Sequence, residues 1–203
     1  MSLGGTPVLR DITLDLGPGQ VLGITGPNGS GKTTLIRVLA TLARIDRGEG
    51  RVLDADLDTD QIYEVRPGIG LMGHRPAVIG ELTMGENLDH IARLRGFDPD
   101  RVTRALEVVG LAEAATMRAD AASHGMIRRL EVARLLLTRP RLLLLDEATH
   151  GLDPPARQLV DALRARTVEA GGAAVIVSHD KDQLHKMADL VLRLETGSMA
   201  ASQ

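Results

Sequence analysis

One stretch restricts this chain more than any other: Val21-Leu22-Gly23-Ile24 followed, after Thr25, by Gly26-Pro27-Asn28-Gly29-Ser30-Gly31-Lys32-Thr33-Thr34. The apolar run reads as a short buried strand, and Leu35-Ile36-Arg37-Val38-Leu39-Ala40 continues as a helix. Residues 26–33 satisfy the pattern G-x-x-x-x-G-K-[ST], in the order strand, loop, helix that the pattern requires. Its glycines allow a sharp turn that aims successive backbone N–H groups at one point, and the positive end of the following helix points the same way. The expected occupant is a nucleoside triphosphate: the N–H groups of residues 26–34 around its phosphates, Lys32 on the β- and γ-phosphates, the Thr33 hydroxyl on Mg²⁺. Lysine is scarce, standing only at positions 32, 181 and 186. A compact ammonium on a flexible stem fits under a bent loop where a planar guanidinium would crowd it.

The remaining pattern predicts an α/β fold with a mostly parallel sheet flanked by helices. Residues 9–16 alternate apolar and polar and read as a half-exposed strand; residues 51–60 read as an edge strand and turn, and 67–71 as a further strand. From 76 to 133 the texture is helical, with Val102, Ala105, Leu106 and Val109 at helical spacing before Gly110. Leu142-Leu143-Leu144-Leu145 is a continuous apolar run, as in a strand buried on both faces. Pro154 opens a helix with the stripe Ala156, Leu159, Val160 and Leu163. Residues 173–177 form the next buried strand, and 191–194 the last. The chain therefore divides into an α/β core, 1–75 and 134–203, and an inserted helical subdomain, about 76–133.

With 203 residues, 43% of them hydrophobic, the chain can bury a substantial core. A net charge of −3 gives no footprint for nucleic acid. Cysteine is absent, which excludes disulfides and thiolate metal sites. No apolar run reaches the length of a membrane span, so the expectation is a soluble, cytoplasmic chain.

Binding phosphate is not hydrolysis. At the C-terminal end of the polyleucine strand stand Asp146 and Glu147, the end where open α/β sheets hold ligands. Asp146 is placed to hold Mg²⁺ and Glu147 to orient or deprotonate an attacking water. Ser178-His179-Asp180 ends the following strand, which brings His179 to the same edge, where it can hydrogen-bond a γ-phosphate.

Taken in order, these motifs resemble the nucleotide-binding subunit of ATP-binding cassette (ABC) transporters over nearly the whole chain. The resemblance implies a P-loop ATPase with a RecA-like core and an N-terminal antiparallel β part. It implies a homodimer, or a heterodimer with a similar ATPase, that sandwiches ATP on the cytoplasmic face of a separate transmembrane permease. Ser123-His124-Gly125-Met126 resembles the family's L-S-G-G-Q signature, which contacts ATP held by the partner copy; Ala122, His124 and Met126 replace the leucine, first glycine and glutamine. Asp153, in Gly151-Leu152-Asp153, matches the loop that links the two sites. At the family's Mg²⁺-contacting glutamine this chain carries His74, and Leu3 stands about where an adenine-stacking aromatic is usual. The segment Gly73-His74-Arg75-Pro76 is similar to the ATPase of the cytochrome c maturation haem exporter, whereas the signature resembles drug and polysaccharide exporter ATPases. The function implied is an ATP-hydrolysing subunit of a transporter, an exporter. The alternatives are a regulatory module that binds nucleotide without turning it over, and a soluble ABC-type ATPase unconnected with transport.

Overall fold

A computed structural model describes residues 1–3, 6–149 and 152–201. The chain forms two compact units: Met1–Gly73 with Pro140–Ala148 and Thr167–Gln203, and His74–Arg139 with Thr149–Arg166.

In the first unit a short antiparallel pair, β1 (Ser2–Leu3) and β2 (Thr6–Pro7), precedes β3 (Val21–Thr25) and α1 (Lys32–Leu39). A second small antiparallel pair, β4 (Arg51–Val52) and β5 (Ala55–Asp56), leads through α2 (Ile62–Val65) to β6 (Ile69–Met72). The second unit contributes α3 (Met84–Leu94), α4 (Asp100–Val108) and α5 (His124–Thr138). Beyond them come β7 (Leu142–Asp146), α6 (Pro154–Glu169), β8 (Ala173–Val177), α7 (Lys181–Met187), β9 (Leu190–Glu195) and β10 (Ser198–Ala201). Six strands make one sheet in the order β10-β9-β3-β8-β7-β6, parallel throughout except for the β10–β9 pair.

The sheet's interior explains why its strands read as unbroken apolar runs. Every residue of β3 and β7 is buried, as a parallel strand covered on both faces requires. Alternate residues serve opposite faces. Leu22, Ile24, Leu142, Leu144, Val175 and Val177 join Leu35, Ile36 and Val38 of α1 in one cluster.

Three sequence expectations are corrected. Residues 9–16 form no strand, although their alternation is real: Leu9 is buried, Ile12, Leu14 and Leu16 are half-buried, and all four pack on the core. The segment carries a left-handed residue at Asp11 (φ 47°) and is tied down by scattered bonds, such as Arg10 N–H to the Gly197 carbonyl at 2.8 Å. The edge beside β9 is taken by β10, so the last strand of the chain is not residues 191–194 but Ser198–Ala201. Pro67 belongs to a 3₁₀ turn, and the strand there starts at Ile69.

In the second unit, α3 opens on a capping box. The Thr83 hydroxyl accepts the Glu86 N–H at 3.1 Å, and the Glu86 carboxylate accepts the Thr83 N–H at 2.8 Å. The Thr83 N–H, and after it a hydrogen bond from the Thr83 hydroxyl to the carboxylate, hold the Glu86 carboxyl below its ordinary value. The unit also takes in Thr149–Arg166, beyond the 76–133 stretch of helical texture.

Urea unfolding tests these two kinds of support. Leu144→Ala, at a fully buried position, is expected to cost about 2–5 kcal/mol, whereas Thr83→Ala, which removes only a cap, is expected to cost about 1 kcal/mol.

Candidate functional site

Three neighbouring strands of the first unit, β3, β8 and β7, end on one row: Ile24 lies opposite Val177, and Val177 opposite Asp146. Two bonds carry the ladder one step further, Ser178 N–H to the Ile24 carbonyl at 3.3 Å and Glu147 N–H to the Val177 carbonyl at 3.0 Å. The loops leaving that row are the glycine-rich loop, Ser178-His179 and Asp146-Glu147. Parallel pairing therefore collects residues more than a hundred positions apart at the carboxyl end of the sheet, where ligands of such folds sit.

The glycine loop turns through positive φ at Gly26 (149°), Gly29 (77°) and Gly31 (103°). Gly26 is the tightest point, since a Cβ there would lie 2.2 Å from the Leu194 carbonyl oxygen of β9. The β9–β10 turn that follows Leu194 also holds the loop, with the Gly197 N–H donating to the Ser30 carbonyl at 3.1 Å. Pro27, Asn28 and Gly29 are exposed at the tip, and Ser30 is buried beneath. Lys32 opens α1 with its stem buried; its ammonium donates to the carbonyls of Gly26 and Pro27, each at 2.9 Å. Among the described residues it is ion-paired to no carboxylate. Thr33 is exposed in the first turn of α1, with Thr34 half-buried behind it.

Asp146 is buried at the end of β7. The next residue, Glu147, adopts a left-handed backbone (φ 53°) that few non-glycine residues tolerate. Its carboxylate Oε1 lies 2.8 Å from Nε2 of His179. An imidazole N–H donating across that distance fixes the carboxylate's orientation while both groups stay open to solvent.

The second unit holds the other candidates. Ser123, His124 and Gly125 begin α5, where the Ser123 hydroxyl accepts the Met126 N–H at 3.3 Å. A Cβ on Gly125 would meet nothing within 4 Å, so the backbone at this helix start is open to close approach. Asp153 caps the next helix by accepting the Ala156 N–H at 2.8 Å, and its other oxygen accepts from Arg129 of α5 at 2.6 Å. The cap bond first, and then the guanidinium, hold the Asp153 carboxyl below its ordinary value. His74 is exposed, two residues beyond β6. Gly151 lies outside the described residues, and nothing is described of the Leu3 side chain.

A family-wide sequence pattern described as ABC transporter matches residues 9–150. The chain belongs to the ABC transporter family. Among curated ABC proteins it is 39% identical, over 97% of its length, to the daunorubicin/doxorubicin resistance ATP-binding protein DrrA of Streptomyces peucetius. It is 35% identical, over 94% of its length, to the methionine import ATP-binding protein MetN of Thermobifida fusca. It spans 61% and 62% of those two relatives, less than two thirds of either. Its fold matches an ATP-binding subunit of an ABC transporter at a TM-score of 0.88, with 23% identity, over 98% of this chain and 85% of the other. It also matches a dimeric ATP-binding cassette in a post-hydrolysis state with ADP and Pi at 0.85, with 24% identity, over 100% and 95%.

Sequence reasoning missed Gly197, although its signal was present. Thr196-Gly197 between two apolar runs is a hairpin turn, and both residues have positive φ, 45° and 86°. It also missed the buried polar side chains of Asn87 and Glu131, which no periodicity separates from their apolar neighbours.

Gly26→Ala tests the tight approach. It is expected to lower stability by about 1–3 kcal/mol and to abolish nucleotide binding, as read by thermal melting with and without ATP.

Proposed function

We propose that this chain binds and hydrolyses ATP to power an ABC membrane transporter, and that two copies, or one copy and a similar ATPase, close on ATP between them. The observation that carries the reading is the convergence of Lys32, Asp146, Glu147 and His179 at the end of three adjacent strands. A lysine ammonium resting on two loop carbonyls is poised to exchange them for β- and γ-phosphate oxygens, while the N–H groups of residues 26–34 surround the phosphates.

The Thr33 hydroxyl and the Asp146 carboxylate offer hard oxygen donors, and no cluster of three metal-binding side chains occurs among the described residues. That donor set suits Mg²⁺, which takes one or two protein oxygens and the rest from phosphate and water. When bound, Mg²⁺ would supply charge neutralisation on the phosphate oxygens. His74 is a weaker candidate for the same ion.

Glu147 is the residue to orient the attacking water and accept its proton. His179 holds Glu147 through Nε2 before nucleotide binds and would turn that same N–H to the γ-phosphate as charge develops there. Hydrolysis also requires the γ-phosphate to be enclosed from the far side. Ser123, His124, Gly125 and Met126 of a second copy would do so, with the N-terminus of the fifteen-residue α5 as the anion-binding element. Asp153 of each copy would join the two sites. The solved relative that is a dimer with ADP and Pi supports this arrangement by its fold.

Among the described residues no helix is long and apolar enough to cross a membrane. Membership of the ABC transporter family and the likeness to a relative named an ATP-binding protein support a transmembrane path supplied by a permease, with this chain on its cytoplasmic face. Export is the direction proposed, on the resemblance of the Ser-His-Gly-Met signature to those of exporter ATPases and on the likeness to a drug-resistance ATP-binding protein; the likeness to a methionine import ATP-binding protein supports the opposite direction.

Steady-state hydrolysis of Mg-ATP by the purified chain tests the reading. Glu147→Gln is expected to lower turnover by about 10²–10⁴-fold while ATP still binds. His179→Ala is expected to lower it about 10²–10³-fold. Chelating Mg²⁺ should remove turnover. Equal phosphate release by the wild type and Glu147→Gln would instead support the regulatory reading, binding without turnover.

A further inference from the structure

The second unit begins with an exposed, irregular segment, and two buried polar side chains hold it. His74, Arg75, Pro76, Ala77 and Ile79 are exposed. Yet the Ala77 N–H donates to Oε1 of Glu131 at 3.1 Å, and the Ile79 N–H donates to Oδ1 of Asn87 at 2.8 Å. The Asn87 amide nitrogen also donates to the carbonyls of Ile79, at 3.0 Å, and Thr83, at 2.9 Å. Asn87 sits on α3, so its bonds close a loop onto the helix that the loop itself enters. Glu131 sits on α5, the helix that begins at the signature, and so joins the segment to a different element.

Glu131 is an expensive choice for that position. Its side chain is fully buried, and its second oxygen accepts from Nη1 of Arg128 at 2.8 Å, whose side chain is 3% exposed. Burial pushes the Arg134 guanidinium one turn on below its ordinary value, and the Glu131 charge acts against that shift. Taking such charges out of water costs several kcal/mol per ion, and an apolar residue of similar volume would often serve stability as well or better. What an apolar residue cannot supply is the bond to the Ala77 backbone. That bond fixes the register between residues 74–79 and α5. Glu131 lies eight residues after Ser123, about 12 Å along one continuous helix.

We propose that Glu131 is a positioning residue of the ATP sandwich, locking the exposed segment 74–79 to α5 so that displacing the segment re-aims Ser123 and Gly125. The proposal rests on the reading of Ser123 and Gly125 as contacts to ATP held by a partner copy. A bound protein that pulls or pushes the segment then alters closure of the sandwich without touching the phosphate loop.

The test uses the full chain in a Glu147→Gln background, with ATP-driven dimerisation followed by sedimentation velocity. Hydrogen exchange across residues 74–80 and binding of a fluorescent ATP analogue to the monomer are measured alongside. Glu131→Leu is expected to speed exchange in that segment and to weaken dimerisation, each about tenfold, with monomer nucleotide affinity within about twofold. Glu131→Gln keeps an oxygen for the Ala77 N–H and should restore most of both. Ala77→Pro deletes the donor without disturbing the buried side chains and should weaken dimerisation as Glu131→Leu does; it carries the test if Glu131→Leu does not fold. A folded Glu131→Leu or Ala77→Pro chain that dimerises as tightly as its parent overturns the proposal. So does a parallel loss of monomer nucleotide affinity, which would mark a merely structural role. If the parent does not dimerise with ATP at all, the reading of the signature fails and takes this proposal with it, a result distinct from either.

Discussion

A buried lysine whose ammonium donates to two loop carbonyls organises the first unit. Lys32 sits at the start of α1 with its charge on the carbonyls of Gly26 and Pro27. Those carbonyls turn inward because the loop passes through left-handed backbone at Gly26, Gly29 and Gly31. The loop holds that course because one hairpin supports it twice, through the Leu194 carbonyl against Gly26 and the Gly197 N–H bonded to Ser30. Each of those supports depends in turn on β3 lying between β8 and β9 in a buried parallel sheet. The phosphate loop is thus the point to which the packing of the whole first unit delivers one positive charge. The same sheet delivers Asp146, Glu147 and His179 to the adjoining strand ends.

Much of this was legible in the sequence, for a physical reason. A parallel strand buried on both faces must be apolar throughout, so residues 21–24, 142–145 and 173–177 announced themselves. The glycine-lysine pattern after the first of these runs marked it as the strand that enters a phosphate loop. The acidic pair and the Ser-His pair were legible because they stand where the other two runs end. Residues 9–16 misled because alternation reports which side chains are buried and not which backbone groups pair. Leu9, Ile12, Leu14 and Leu16 do face the core, without a neighbouring strand. The β10 strand was missed because a four-residue edge strand (Ser-Met-Ala-Ala) carries almost no pattern, although the Thr196-Gly197 turn before it did. Glu131 and Asn87 were hidden for another reason. A buried polar residue on a helix looks like a surface residue until its partners, here backbone N–H groups many positions away, are known.

The second unit has an apolar core of its own, with Met84, Leu88, Leu106, Leu130 and Leu135 buried, and adds polar ties to it: Glu131 to Ala77 and Arg128, Asn87 to Ile79, and Asp153 to Arg129. Dispersion packing tolerates small slides, whereas directional bonds between buried partners define one arrangement and penalise the rest. A unit tied in this way suits the role proposed for it, presenting Ser123 and Gly125 at a fixed angle. The departures from the usual signature, Ala122, His124 and Met126, leave in place a helix N-terminus, a hydroxyl and an unobstructed glycine.

In the homodimeric form of the proposal, each catalytic site combines the phosphate loop of one copy with the signature of the other. Mixing two inactive variants tests it most directly. Lys32→Ala destroys the phosphate loop and leaves the signature, while Ser123→Arg blocks the signature and leaves the phosphate loop. Each alone should be silent, and the mixture should regain Mg-ATP hydrolysis, because a mixed pair holds one intact composite site. A mixture as silent as its components, with both variants folded, would contradict the account.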